Sequence, residues 1–142
     1  MTDMLSVALA NAELVETIRR AESRFRALFR AAPDAVLTVL GDGRIREAND
    51  QVRELTGLTP EQAVGLPLAD LVAEDDRDPL QALLDAALRG WAGRTELRVL
   101  RNAETRTVSL AASHLPEADP PTVLLVARDI TGERELMAHV AA

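Results

Sequence analysis

Apolar residues recur at alternating steps of three and four along the start of the chain: Met4, Val7, Asn11, Leu14, Ile18, Ala21, Phe25 and Leu28, with Asn11 the one polar member. No Pro or Gly interrupts this stripe before Pro33. The spacing predicts one helix over residues 3–30, with Asp3 as its cap and Pro33 as its stop. Asn11 falls at an a position, where a buried Asn fixes register and a two-stranded state in parallel coiled coils. The stripe therefore predicts a parallel homodimer through this helix, each Asn11 amide satisfying its twin. The flanking positions (Ala10, Val15, Thr17, Arg24, Phe29) carry no charge code, so an amphipathic helix packed on its own domain is the alternative.

Beyond Pro33 the period shortens. Ala35–Leu40 is a β-prone run, Gly41-Asp42-Gly43 a turn, and Arg44–Ala48 a second short run, together a hairpin. Asn49-Asp50 can cap a short helix, Gln51 to Thr56, ended by Gly57. Thr59-Pro60 starts another helical turn, and Leu68–Val72 a further one. Residues 74–78 read as an acidic loop. Pro79 opens a firmer helix over Leu80–Arg89, with Leu80, Leu83, Leu84, Ala87 and Leu88 on one face. Three strands follow, at 95–99, 107–114 and 123–127; Val108, Leu110, Ala112 and His114 share one face of the second. A terminal helix starts near Glu133. Strands cluster at both ends with helices between, and the short connections favour antiparallel pairing. The fold class is α+β, one antiparallel sheet with short helices on one face plus the long N-terminal amphipathic helix. The expected partition is a dimerising helix (1–30), a domain (31–131) and the start of an exit helix (132–142).

Composition narrows the function classes. The 142 residues include no cysteine, which removes disulfides, thiolate metal sites and cysteine nucleophiles. Sixteen basic residues, all Arg, against 23 acidic ones give a net charge of −7, the wrong sign for a nucleic-acid binder. No apolar run approaches a membrane span, and no basic stretch precedes an apolar one at the N-terminus, so a cytoplasmic protein is expected.

Two stretches resemble the PAS sensory domain. "PDAVLTVLGDGRIREANDQVRELTG" (33–57) is similar to that family's opening hairpin and first helix, and "ARDITGERE" (127–135) to its closing signature. The resemblance covers roughly residues 22–135. It implies a five-stranded antiparallel sheet, a pocket between sheet and helices, and a long N-terminal helix that often dimerises. It also implies an output domain downstream, such as a histidine kinase, cyclase, phosphatase or DNA-binding module. Asp129-Ile130-Thr131 would then transmit signal from the sheet to the exit helix.

Catalysis requires an acid or base with an orienting partner, and none can be named, so a non-enzymatic module is expected. His114 ends a strand and His139 lies on the terminal helix. No metal-ligand spacing exists, and the acidic run 74–78 lacks the pattern of a calcium loop. Family cofactors fare no better. A covalent flavin adduct needs a cysteine, and the histidine that ligates haem in family members has no counterpart in 80–89. A small apolar ligand is the remaining expectation, in a pocket of Leu37, Val39, Leu84, Leu88, Leu97, Val99, Val108, Leu110 and Leu125 with Asn49, Thr95 and His114 as polar tips. A filled core without ligand is the alternative. The chain reads as a dimeric input module that relays pocket or interface changes, or else as a ligand-free assembly module.

Overall fold

The computed structural model describes residues 2–102, 104–116, 118–133 and 136, with residues 2–9 and Phe25 described by backbone alone. The chain divides into two compact units, residues 1–31 and 32–142. The first is helix α1 (Thr2–Ala31). Its described seam residues are uncovered in the single chain: Leu14, Ile18 and Leu28 are 59%, 49% and 66% exposed, and Asn11 and Ala21 are exposed too. The side chains of Met4, Val7 and Phe25 lie outside those described.

The second unit holds β1 (Ala35–Leu40), β2 (Ile45–Ala48), α2 (Gln51–Thr56), α3 (Pro60–Ala63), α4 (Arg77–Leu88), β3 (Gly93–Arg101), β4 (Glu104–His114) and β5 (Thr122–Asp129). The strands form one antiparallel sheet in the order β2-β1-β5-β4-β3. Alternation sets its core face. Leu37 and Val39, Leu97 and Val99, Val108 and Leu110, and Val123 and Leu125 are buried under the helices. From above, Val52 and Leu55 of α2 and Leu80, Leu83 and Leu84 of α4 complete the core. Gly93 permits the close approach of α4 to β3, since a Cβ there would meet Leu83 Cδ1 at 3.0 Å.

Local chemistry accounts for some element ends, such as the left-handed Gly57 that closes α2. Thr59 and Gln62 form a reciprocal capping box at α3, with Pro60 in its first turn. Among the expectations that need correction, the last three strands run longer than 95–99, 107–114 and 123–127, at Gly93–Arg101, Glu104–His114 and Thr122–Asp129. Helix α4 starts at Arg77 rather than after Pro79, because proline is tolerated in a first turn whose N–H groups have no helical partner. Asn49 does not cap α2, and Asp50, at the cap position, makes no side-chain capping bond. Asn49 is 2% exposed and turns toward the start of β1. Its Oδ1 accepts from the Val36 N–H and its Nδ2 donates to the Asp34 carbonyl, both at 3.0 Å. Its own N–H reaches the Val36 carbonyl at 3.0 Å. The side chain thus does the work of an extra ladder residue at the mouth of the hairpin.

Between α3 and α4 the chain runs as a strap, residues 65–76, with two short 3-10 turns at Leu68–Leu71 and Glu74–Asp76. The strap bonds to both outer strands of the sheet. At β2, the Gly65 N–H donates to the Ile45 carbonyl (2.8 Å) and the Ile45 N–H to the Leu66 carbonyl (2.9 Å). At β3, the Ala73 N–H donates to the Arg98 carbonyl at 2.9 Å. There the Asp76 Oδ2 accepts from both the Arg98 N–H (2.8 Å) and its Nε (3.0 Å). The side-chain bond from Arg98 holds the Asp76 carboxyl below its ordinary range, against the opposing effect of burial. A lowered carboxyl pKa stabilises the fold above the unfolded-state value and loses that contribution as pH falls through the folded one.

Replacing Asn49 by Leu leaves the Val36 N–H and Asp34 carbonyl without their side-chain partner. It should lower unfolding stability by at least about 2 kcal/mol in urea titration; a loss under about 0.5 kcal/mol would show that the backbone finds other partners.

Candidate functional site

A small apolar cavity lies between sheet and helices. Its floor is Leu37, Leu97, Val99, Val108, Leu110 and Ala127, and its roof is Val52, Leu55 and Thr56 of α2 with Leu68, Leu71 and Val72 of the strap. Its volume is about 20 Å³, room for about one water, whereas pockets for drug-sized ligands run to roughly 300–1,000 Å³. The one hydroxyl in the wall, Thr56, donates to the Val52 carbonyl at 2.8 Å. The wall holds neither a histidine nor a cysteine.

Five of the sequence-predicted pocket residues meet at this cavity: Leu37, Leu97, Val99, Val108 and Leu110. The others lie elsewhere. Val39, Leu84 and Leu125 are buried in the surrounding core, and Leu88 packs half-buried against it. Thr95 is half-buried on β3 opposite Leu110, and His114 is half-buried at the end of β4 opposite Val123. Asn49 is spent on backbone, as described above. The roof residues went unpredicted. The spacing of three and four at Val52, Leu55 and Thr56 carries a signal for α2, and Leu68, Leu71 and Val72 repeat it in the segment read as a helical turn.

The second feature is the junction where β5 leaves the sheet. Asp129 Oδ1 accepts from the Thr131 N–H (2.9 Å) and from the Thr131 hydroxyl (2.6 Å). The hydroxyl oxygen in turn accepts from the Thr107 N–H of β4 at 2.9 Å. The Ile130 N–H donates to the Thr107 carbonyl at 2.9 Å, and the Ile130 side chain is buried. Arg106 Nε lies 3.4 Å from Asp129 Oδ2 as an ion pair, without hydrogen-bond alignment. Asp129, Ile130 and Thr131 therefore stitch the first helical residues, 131–133, to one end of β4. His139 and most of the expected exit helix lie outside the described residues.

Among the described residues, no group of three or more His, Asp or Glu is placed to hold a metal ion, and no helix is long and apolar enough to cross a membrane.

Residues 29–135 match the family model described as the PAS fold, and the chain belongs to that family. Phytochrome C of Sorghum bicolor is 33% identical over 99 residues, covering 70% of this chain and 8% of its own. Phytochrome B1 of Solanum lycopersicum is 32% identical over 142 residues, covering 92% and 12%. The chain thus spans about a tenth of the length of the curated relatives it matches. Among solved structures, the PAS domain of an HTR-like protein from Haloarcula marismortui superposes with a TM-score of 0.70 at 21% identity, covering 84% of this chain and 99% of that one. A domain of a sensory box sensor histidine kinase/response regulator from Geobacter sulfurreducens gives 0.67 at 25% identity, covering 79% and 96%.

Two variants probe these features. Leu110→Trp adds far more volume than the cavity offers and should cost about 1–3 kcal/mol by overpacking, read as a drop in Tm; an unchanged Tm would mean that the roof yields. Asp129→Ala removes the acceptor of both Thr131 bonds and should cost about 1 kcal/mol. Faster amide exchange should appear first at Thr131 and Thr107, and equal protection there would refute the stitch.

Proposed function

We propose that this chain is a non-catalytic signalling input module that dimerises through α1 and relays changes in its cavity or dimer packing to an output domain. The observation that carries this reading is the proximity of cavity floor and junction along two strands. Val108 lines the cavity, and its neighbour Thr107 holds Thr131. Ala127 lines the cavity too, and two residues later Asp129 organises the same junction. A displacement of the floor therefore reaches the exit helix within one or two residues. An occupant biases the relay by its differential affinity for the two positions of the floor. Similarity to a sensor kinase domain and to segments of phytochromes supports a place in signal transduction. The apolar wall favours a small apolar occupant.

Dimerisation rests on the seam of Met4, Val7, Asn11, Leu14, Ile18, Ala21, Phe25 and Leu28, whose described apolar members are uncovered in the single chain. A second reading, a ligand-free assembly module, is favoured by the small cavity volume. Native mass spectrometry separates the two: a recovered small molecule supports the sensor, and a chain that never carries one supports assembly.

Removing residues 1–20 should leave a folded and largely monomeric domain, while Asn11→Ile should tighten association and loosen the choice of oligomer. Light scattering is the check. A truncated chain that remains a tight dimer would place the interface on the sheet or exit helix and end the coiled-coil reading.

A further inference from the structure

The cavity's two walls are held differently. Its floor is the sheet, braced by continuous ladders between β1, β5, β4 and β3. Half of its roof is the strap, which crosses from one sheet edge to the other. The β2 end of the strap is pinned by several bonds: those of Gly65 and Leu66 to Ile45, the Leu68 N–H to the Gly43 carbonyl (2.9 Å), and Arg44 Nη1 to the Gly65 carbonyl (2.9 Å). Gly65 sits there at φ +89, a left-handed conformation suited to a pivot. The β3 end is held by an isolated bridge of Val72 with Val99, by the Ala73 N–H on the Arg98 carbonyl, by Arg77 Nε on the Val72 carbonyl at 3.4 Å and by the forked acceptance of Asp76 at Arg98. Asp76 keeps 20% side-chain exposure and Arg98 49%, so water and salt reach this contact. Between the two ends lie 3-10 turns, whose hydrogen-bond geometry is poorer than that of α-helix.

We propose that residues 65–76 are the moving wall of the cavity: the strap pivots near Gly65 and is latched at β3 by Asp76 on Arg98, so that release of the latch opens the route by which an occupant enters. This rests on the reading of the cavity as the module's sensing site, and it adds the route and its control. A small occupant needs only Leu68, Leu71 and Val72 to lift, leaving the strands and α4 in place. The latch joins an acidic segment, Glu74-Asp75-Asp76, to an arginine on an edge strand, so ionic strength modulates it. Asp75 lies 3.8 Å from the same guanidinium but is 90% exposed and makes no bond to the Arg98 backbone, so its share in the latch is slight.

Hydrogen exchange on the full chain, followed by NMR at neutral pH, tests this with Asp76→Asn and the control Asp75→Asn. Asp76→Asn should speed exchange at Val72, Ala73 and Arg98 about tenfold or more, with the core amides of β1 and β5 unchanged. Asp75→Asn should leave all of them near wild type. High salt should move wild type toward Asp76→Asn. In xenon-saturated buffer, methyl shifts at Leu68, Leu71, Leu97 and Leu110 should be larger for Asp76→Asn than for wild type. Uniform acceleration across the sheet would mean global destabilisation and overturn the latch. Unchanged exchange at Val72 and Ala73 would overturn it as well. If the strap loosens locally but xenon shifts stay equal in the two proteins, the access route is wrong. None of these readouts uses a natural ligand, so a sensor reading defeated by mass spectrometry leaves the exchange result standing on its own.

Discussion

An open antiparallel sheet has two edges, and each presents a row of N–H and C=O groups that must find partners or be shielded. Here a single segment attends to both. The strap bonds to Gly43 in the turn before β2, to Ile45 on β2 and to Arg98 on β3; β2 and β3 are the first and last strands in the order β2-β1-β5-β4-β3. The hydrogen-bonded network therefore runs across the sheet, over the core and back. Closure of this belt fixes where Leu68 and Val72 enter the core, and both are buried. It also decides that α2 and the strap, rather than α4, roof the cavity.

Local signals in the sequence located the elements well and the contacts between them less well. The bounds of β1 and α2 coincide with the β-prone run and with the helical segment ended by Gly57, because those limits are set by neighbours in sequence. The sheet with its helices on one face followed from period and connection length. Asn49 was misread for a physical reason. An Asn before a helix satisfies a capping rule, yet its actual partners lie 13 and 15 residues upstream, and no local pattern distinguishes the two uses. The strap was read as unconnected turns and an acidic loop because its bonds span 22 residues from Asp76 to Arg98 and 21 from Gly65 to Arg44. Alternation named five floor residues of the cavity because strand period specifies which face a side chain takes. It also swept in Val39 and Leu125, since facing the core and facing a void within it look alike in one dimension.

The two walls also bear on how a module of this kind senses. A ladder of backbone hydrogen bonds resists shear, and the floor strands carry the exit junction at Thr107 and Asp129. A roof that yields absorbs an occupant's volume and leaves the floor where it was. A roof held at both sheet edges transfers that volume to the floor, and through Thr107 to the start of the exit helix. On the proposed reading the strap therefore does two opposed things: unlatched, it admits an occupant; latched, it makes the sheet respond to one. Cavity size alone does not separate a sensor from an assembly module in such a fold. On that reading the deciding quantity is the relative stiffness of roof and floor, set by the bonds at Arg98 on an exposed edge strand rather than by the apolar residues that line the space.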